Sequence, residues 1–166
     1  MTTPQVPGLT PLPVGTEAPD FELRDQNNEL VSLSSFRGQK AVLLVFYPWA
    51  FTSICTGELS RIRDGIDEFA NDQVQVLTVS VDSGFAHKIF AQRDELNYPL
   101  LADFWPHGAV AQAYGVFNTD VGAANRGTFL IDAEGIIRFS EANEIGQGRD
   151  PQRWLDAIAA LGAPVG

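Results

Sequence analysis

The sequence has very few residues that could form disulfides or bind metals. Cys55 is the only cysteine among 166 residues, and His87 and His107 are the only histidines. One cysteine cannot form an internal disulfide, and these three residues cannot supply the ligands of a structural zinc site. A lone free thiol suits a reducing compartment, so we expect a cytoplasmic protein without a metal or another cofactor. The sequence therefore raises the question of what role the single thiol of Cys55 has.

Basic residues and long hydrophobic runs are also scarce. The 11 Lys and Arg residues stand against 21 Asp and Glu residues, which gives a formal net charge of -10. Such a charge repels a phosphate backbone or an anionic membrane surface, so we expect neither nucleic acid nor a membrane as a partner. The longest apolar run, residues 41–47, falls far short of the roughly 18–20 residues that a membrane-spanning helix needs. The first residues also lack the basic and apolar regions of a secretory signal.

The chain predicts one globular domain that follows a short tail. Its length lies within the usual range of about 100–200 residues for a single domain, and 45% of the residues are hydrophobic, enough for a core. Residues 1–13 contain four prolines, which favour an extended, mobile segment. We therefore expect a flexible proline-rich tail over residues 1–13 and a single domain over residues 14–166.

Strand-like and helix-like segments alternate along this domain. AVLLVF, residues 41–46, and VQVLTVSV, residues 74–81, are β-branched apolar runs typical of buried parallel strands. Between them, apolar residues from Cys55 to Phe69 recur at spacings of 4, 3, 4 and 3, which predicts an amphipathic helix. Residues 85–96 predict a second helix, so the order of the elements indicates βαβ units.

The C-terminal third predicts a hairpin and a closing helix. TFLID and IIRFSE are strand-like runs on either side of the turn residues AEG, 133–135, which predicts two antiparallel strands. A helix from Pro151 to Leu161 places Trp154 and Ile158 on one face, where they can cover the sheet. The predicted fold class is therefore α/β, with a central mixed sheet flanked by helices.

Cys55 falls in the first turn of the first predicted helix, where Thr52 and Ser53 are candidate N-cap residues. Free amides and the helix dipole at that end favour a thiolate, which is the reactive form of cysteine. Glu58 follows one turn later, and its carboxylate disfavours a nearby thiolate unless a cation is also close. A small buried hydrophobic residue would show the same pattern, so position alone leaves an inert structural cysteine equally open.

The residues around Cys55 resemble the active-site motif of the peroxiredoxins. Pro48, Thr52, Cys55 and Glu58 reproduce the family pattern Pro-x-x-x-Thr-x-x-Cys-x-x-Glu. Four fixed residues at fixed spacing make this a specific match. An inert structural cysteine would require all of them to coincide by accident.

Three further segments extend the resemblance over about residues 15–161. GTEAPDF, residues 15–21, is similar to the family's opening segment, and NRGTFLID, residues 125–132, is similar to the strand that carries its essential arginine, here Arg126. Residues 100–118 resemble the one-cysteine subgroup of the alkyl hydroperoxide reductase E type. The resemblance implies a thioredoxin-like three-layer fold.

The resemblance also implies a role for each motif residue. Arg126 would come alongside Cys55 and stabilise its thiolate, while Glu58 would orient the guanidinium. Thr52 and the Cys55 amide would contact the peroxide, and Pro48 would shield the sulfur from water. The thiolate would then reduce hydrogen peroxide or an organic hydroperoxide and become a sulfenic acid.

Partners follow from the same resemblance. Without a second cysteine, the sulfenic acid needs an external reductant, either a low-molecular-weight thiol or a thioredoxin-like or glutaredoxin-like protein. The family commonly associates through segments flanking the active site, so a homodimer or higher homo-oligomer is expected. Its candidate apolar contact residues are Trp49, Phe51, Phe104 and Trp105.

Two other functions stay open at this stage. A cysteine hydrolase would pair Cys55 with a histidine such as His107, but no hydrolase motif surrounds it. A non-catalytic redox sensor or binding module could use Cys55 oxidation as a signal, and only turnover with a thiol distinguishes it from an enzyme. We interpret His87 and His107 as ordinary helix or loop residues, and Trp105 as a packing residue.

Overall fold

The computed structural model of the chain describes residues 5–161. Its strands are β1 (Glu22–Arg24), β2 (Leu30–Ser32), β3 (Ala41–Phe46), β4 (Val74–Ser80), β5 (Leu100–Ala102), β6 (Phe117–Asn118), β7 (Ala123–Ala124), β8 (Arg126–Ile131) and β9 (Ile137–Asn143). Its helices are α1 (Ser53–Asp64), α2 (Ile66–Phe69), α3 (Gly84–Asp94), α4 (Ala109–Ala113) and α5 (Pro151–Leu161), and a 3₁₀ turn spans Leu33–Phe36.

The centre of the fold is a mixed five-stranded sheet in the order β5-β4-β3-β8-β9. β3, β4 and β5 run parallel, whereas β8 pairs antiparallel with both β3 and β9. β1 with β2 and β6 with β7 form two small antiparallel pairs apart from this sheet. The mixed sheet, its C-terminal hairpin and the α/β class that the sequence predicts are confirmed.

β3 is the central strand, and it is buried on both faces. Leu43 and Val45 pack in one cluster with residues of α1 and α5, whereas Leu44 and Phe46 pack in a second cluster that contains Tyr114. Each such side chain contributes about 1.5–3 kcal/mol when it is fully buried. The sheet therefore lies between two apolar layers, as its continuous apolar sequence predicts.

The predicted helix from Cys55 to Phe69 is not continuous, and this prediction is wrong in one respect. Gly65, with φ -113° and ψ 31°, separates α1 from α2. Glycine lowers helix stability by about 1 kcal/mol relative to alanine, so a break is easiest there. The apolar spacing hides the break because Ile62 and Phe69 belong to the same buried cluster.

Part of the expected proline-rich tail lies against the domain. Thr10 and Leu12 donate backbone hydrogen bonds to the carbonyls of Gly115 and Tyr114, both at 3.2 Å. These contacts differ from the expectation that all of residues 1–13 stand outside the fold. Residues 1–4 lie outside the described part of the chain.

α1 begins where the carboxyl ends of the parallel strands meet. β3 ends at Phe46, and residues 47–52 lead directly into α1. Open α/β sheets place their ligand sites at this edge. Between residues 5 and 161, no helix combines the length and the apolar character that crossing a membrane requires.

Candidate active site

The first turn of α1 holds Cys55. Thr52 is its N-cap residue, with extended backbone angles, and its carbonyl accepts the amide of Thr56 at 2.8 Å. The Thr52 hydroxyl donates to the carbonyl of Trp49 at 2.9 Å and makes no capping hydrogen bond. Cys55 is fully buried in the cluster between the sheet and the helices.

Arg126 reaches Cys55 from β8. Its Nη1 donates to Cys55 Sγ at 3.3 Å, and its Nε donates to the carbonyl of Ile145 at 2.7 Å. The register explains this direction: Val45 of β3 lies opposite Thr128, so Arg126, two residues before Thr128, points to the same side of the sheet. That side is also the side of α1. The structure thus brings together two residues that lie 71 positions apart in the sequence.

Glu58 lies beside this pair and accepts hydrogen bonds from two arginines. Its Oε1 accepts Arg126 Nη1 at 2.7 Å and Arg149 Nη2 at 2.8 Å, and its Oε2 accepts Arg149 Nε at 2.9 Å. Burial opposes ionisation of this carboxyl, but the hydrogen bonds and charge of Arg149, with the charge of Arg126, hold its pKa below the ordinary value. Glu58 is therefore a carboxylate at neutral pH.

Arg149 is the residue of this cluster that sequence reasoning missed. It is buried, and besides Glu58 its Nη1 donates to the carbonyl of Gly127 at 3.0 Å and to the Thr128 hydroxyl at 3.1 Å. Only its position just before the Pro151 helix start could have drawn attention, and that position carries no chemical motif.

The charged side chains beside Cys55 carry a net positive charge. Arg126 and Arg149 supply two guanidiniums and Glu58 supplies one carboxylate, which leaves one positive charge next to the sulfur. The carboxylate of Glu58 is therefore paired with arginines and does not stand alone beside Cys55.

Pro48 and Thr52 belong to the active-site turn, residues 47–52, which joins β3 to α1. Pro48 is buried and Thr52 is exposed, so the turn runs from the core to the surface. Phe51 has φ 71°, a left-handed conformation that a bulky residue rarely adopts. The Ala50 amide donates to Asp82 Oδ2 at 2.8 Å.

His87 differs from the ordinary helix or loop residue that the sequence suggested. It is fully buried on α3, where Nε2 lies 2.9 Å from the Tyr47 hydroxyl and 2.7 Å from Ser80 Oγ. Burial lowers the pKa of His87 to about 4, so the ring is neutral at neutral pH. Burial also raises the pKa of Tyr47 well above its ordinary value.

The remaining candidates lie in the exposed loop before α4. His107 Nε2 contacts the carbonyl of Gly122 at 2.6 Å, and the side chain of Trp105 is exposed. Within residues 5–161 the sulfur of Cys55 has a hydrogen bond from Arg126 and none from a histidine, which disfavours the cysteine hydrolase. Over the same residues, no group of three or more His, Cys, Asp or Glu side chains is arranged to hold a metal ion.

Comparison with known sequences agrees with this geometry. The AhpC/TSA family matches residues 14–140. The alkyl hydroperoxide reductase E of Mycobacterium tuberculosis (strain ATCC 25618 / H37Rv) is 57% identical over 152 residues, which covers 92% of this chain and 99% of that protein. The chloroplastic 2-Cys peroxiredoxin of Spinacia oleracea is 40% identical over 164 residues, covering 91% of this chain and 61% of that protein.

Solved structures show the same architecture. Peroxidoxin BcpB from Mycobacterium tuberculosis superposes with a TM-score of 0.79 at 30% identity, covering 90% of this chain and 98% of that one. AhpC of Enterococcus faecalis superposes with a TM-score of 0.81 at 29% identity, covering 89% and 91% of the two chains. The thioredoxin-like fold that the sequence predicts is confirmed.

Proposed function

The chain belongs to the AhpC/TSA family of peroxiredoxins, and we propose that it is a one-cysteine, thiol-dependent peroxidase whose nucleophile is Cys55. The observation that carries this proposal is the 3.3 Å contact between Arg126 Nη1 and Cys55 Sγ. A guanidinium at this distance stabilises a thiolate by Coulomb attraction and by a charge-assisted hydrogen bond. The thiolate is the form of cysteine that attacks a peroxide.

The reaction is a nucleophilic displacement at oxygen. The Cys55 thiolate attacks the distal peroxide oxygen, a sulfur–oxygen bond forms, and the oxygen–oxygen bond breaks. Sulfur gives up two electrons and becomes a sulfenic acid, while the departing alkoxide or hydroxide takes a proton and leaves as an alcohol or water. Hydrogen peroxide and organic hydroperoxides both satisfy this scheme, and neither a metal nor a flavin is needed.

Arg126 is the main electrostatic catalyst in this proposal. Its Nε and Nη1 are held by Ile145, Cys55 and Glu58, whereas its Nη2 makes no hydrogen bond within residues 5–161. Nη2 can therefore donate to a peroxide oxygen as negative charge develops on it. The amide of Cys55, in the first helical turn, provides a second donor.

Glu58 and Arg149 hold the guanidinium of Arg126 in place. Arg149 donates three hydrogen bonds to the Glu58 carboxylate, two from its side chain and one from its backbone amide. The same carboxylate accepts Arg126 Nη1. A donor fixed in this way need not reorganise when the oxygen–oxygen bond breaks.

Thr52 and Pro48 complete the proposed site. Because the Thr52 hydroxyl gives its proton to Trp49, its oxygen is left to accept a hydrogen bond from the peroxide. Pro48 has no amide hydrogen to attract water, and it is buried within the active-site turn. We assign it the exclusion of bulk water from the thiolate.

The sulfenic acid has to be reduced by an external thiol, since the chain holds no second cysteine. We propose a low-molecular-weight thiol or a thioredoxin-like or glutaredoxin-like protein as this partner. A free thiol that must be restored after each turnover suits the cytoplasm. The non-catalytic redox sensor is not favoured, because the relatives of this chain include a named alkyl hydroperoxide reductase and a named 2-Cys peroxiredoxin.

We also propose that the protein forms a homodimer or a higher homo-oligomer. Three of the four aromatic residues that the sequence suggests for a contact surface are exposed, namely Phe51, Phe104 and Trp105. Large exposed aromatic side chains are characteristic of protein interfaces.

The test is a stopped-flow measurement of Cys55 consumption by cumene hydroperoxide and by hydrogen peroxide. We expect the reduced protein to react orders of magnitude faster than a free low-molecular-weight thiol at the same pH. Cys55→Ser should show no peroxide consumption, and adding a thiol should restore reduced Cys55 over repeated cycles. A rate no higher than that of the free thiol would contradict the proposal, whereas fast oxidation without turnover would favour the redox sensor.

A further inference from the structure

The active-site turn needs something outside itself to hold its shape. Phe51 adopts φ 71°, which the sequence of the turn does not favour, because a β-carbon crowds its own backbone in that conformation. Residues in such conformations persist only where the surrounding structure fixes them. The turn carries Pro48 and Thr52, so whatever fixes it also places two residues of the proposed site.

Asp82 contacts the turn at its centre. It follows β4, the parallel neighbour of β3, and its Oδ2 accepts the Ala50 amide at 2.8 Å. The Ser80 hydroxyl lies 2.6 Å from the same oxygen. A carboxylate can only accept, so the Ser80 hydroxyl donates to it. Asp82 thus ties the turn to the end of the neighbouring strand.

The opposite side of Ser80 is held by two buried side chains. With its proton committed to Asp82, Ser80 Oγ must accept from His87 Nε2 at 2.7 Å, which places the ring proton on that nitrogen. The same nitrogen lies 2.9 Å from the Tyr47 hydroxyl. A chain of hydrogen bonds therefore runs from His87 through Ser80 and Asp82 to Ala50, and the Tyr47 hydroxyl, at the start of the turn, lies against the same ring nitrogen of His87.

We propose that Asp82 is a positioning residue for peroxide reduction: through the Ala50 amide it fixes the active-site turn, and with it Thr52 and Pro48, around the Cys55 sulfur. Within residues 5–161, Asp82 makes no hydrogen bond to Cys55 or to Arg126. Its effect is geometric, so it should matter for attack on a peroxide, which needs the placed groups, and little for simple alkylation of the thiolate.

The hydrogen-bond pattern also says which substitution should preserve the function. The hydrogen bonds from Ala50 and Ser80 go to Oδ2 of Asp82 alone. An asparagine with its amide oxygen in that position can accept both, and its amide nitrogen takes the place of Oδ1. Asp82→Asn should therefore retain the positioning, whereas Asp82→Ala removes it.

The experiment compares two rate constants at Cys55 in the full chain: oxidation by cumene hydroperoxide and alkylation by iodoacetamide. In Asp82→Ala we expect the ratio of the two to fall about tenfold, because the placed groups serve only the peroxide reaction. Asp82→Asn should stay within about threefold of the wild-type ratio. The control is Asp132→Ala, which removes a carboxylate that also accepts two turn amides, those of Glu134 and Ile136, in the hairpin between β8 and β9.

The outcomes separate this inference from the proposed function on which it rests. A wild-type Cys55 no faster than a free thiol would overturn the proposed function. If wild-type Cys55 reacts fast but the ratio of oxidation to alkylation in Asp82→Ala stays within about threefold of the wild-type ratio, the positioning role alone is overturned. A ratio in Asp82→Asn that falls as far as in Asp82→Ala would also overturn it. If circular dichroism shows that Asp82→Ala does not fold, Ser80→Ala, which removes the hydroxyl that orients Asp82, is judged by the same threshold.

Discussion

In the proposed mechanism, peroxide reduction depends most on Arg126. It is buried, it donates to both Cys55 and Glu58 through Nη1, and it is anchored at Ile145 through Nε. A lysine could carry the same charge but could not make these contacts with one rigid planar group. In that mechanism its side chain therefore has two tasks, which are to stabilise the thiolate and to present a donor to the peroxide.

Arg126→Ala should lower the rate constant of Cys55 oxidation by about 10²–10³, the usual loss when one fixed donor is removed from a developing oxyanion. Stopped-flow oxidation by cumene hydroperoxide measures this loss. The control is Arg37→Ala, which removes a half-exposed arginine paired with Glu17 and should leave the rate constant unchanged. Unchanged kinetics in Arg126→Ala would remove it from the site.

Glu58→Gln should destabilise the fold in a pH-dependent way. The variant leaves two buried guanidiniums without their carboxylate, which costs about 3–5 kcal/mol in the free energy of unfolding. The folded-state pKa of Glu58 is lowered because the arginine contacts outweigh its burial. Its contribution is therefore fully present above the unfolded pKa of about 4.3 and is lost as the pH falls through the folded pKa. Urea unfolding across this pH range should show that the difference in free energy of unfolding between wild type and Glu58→Gln becomes smaller as the pH falls.

The control for this pH effect is Glu17→Gln, which changes an exposed carboxylate paired with one half-exposed arginine, Arg37. Solvent screens such a pair, so its removal should cost no more than about 1 kcal/mol. If the difference in free energy of unfolding between wild type and Glu58→Gln stays constant with pH, the variant acts through packing and not through its lost charge.

At the scale of elements, local patterns explain what the sequence could predict. The apolar run of β3, the periodicity of α1 and Pro151 at the start of α5 are each encoded within a few residues. Motif spacing within α1 likewise predicted Cys55 next to Glu58. Arg126 could be assigned only by resemblance, because its approach depends on the pairing of β8 with β3.

Other features could not be predicted from the sequence because they depend on contacts between distant segments. Arg149 lies 91 residues from Glu58, and no motif connects the two. Burial of His87 depends on Tyr47 and Ser80, which come from two different strand ends. The spacing of apolar residues also cannot show the break at Gly65, because α1 before it and α2 after it both pack into the same buried cluster.

The N-terminal segment offers a prediction at this scale. Gly115 has φ 79°, and a β-carbon there would collide with the carbonyl oxygen of Thr10, whereas Gly38 has φ 80° and open space. The left-handed backbone conformation of an alanine lowers the free energy of unfolding by about 1–2 kcal/mol at either position. Gly115→Ala should therefore destabilise the domain by about 1–3 kcal/mol more than Gly38→Ala, because it also dislodges the segment.

Urea unfolding of the two variants, each with and without residues 1–11, tests this difference as a double-mutant cycle. Deleting the segment should remove the excess cost of Gly115→Ala, since the clash with Thr10 disappears. An excess that persists in the shortened chain would show that the segment does not pack on Gly115 in solution.

The whole molecule combines an acidic surface with an apolar region. The net charge of -10 opposes nonspecific association between copies. Nevertheless, Trp105 is 82% exposed and Phe104 is 55% exposed, and both lie in the loop between β5 and α4. Adjacent exposed aromatics on an otherwise repulsive surface favour a specific contact between copies over nonspecific association.

Trp105→Glu should therefore weaken self-association by about tenfold or more, because it puts a charge where a hot-spot aromatic would be buried. Sedimentation velocity over a concentration series measures the change. Leu30→Glu, on β2, alters a single aliphatic residue that is also 54% exposed, and it should leave association unchanged. A wild type that sediments as a monomer at every concentration would reject the homo-oligomer itself. A wild-type oligomer untouched by Trp105→Glu would instead place the contact elsewhere on the surface.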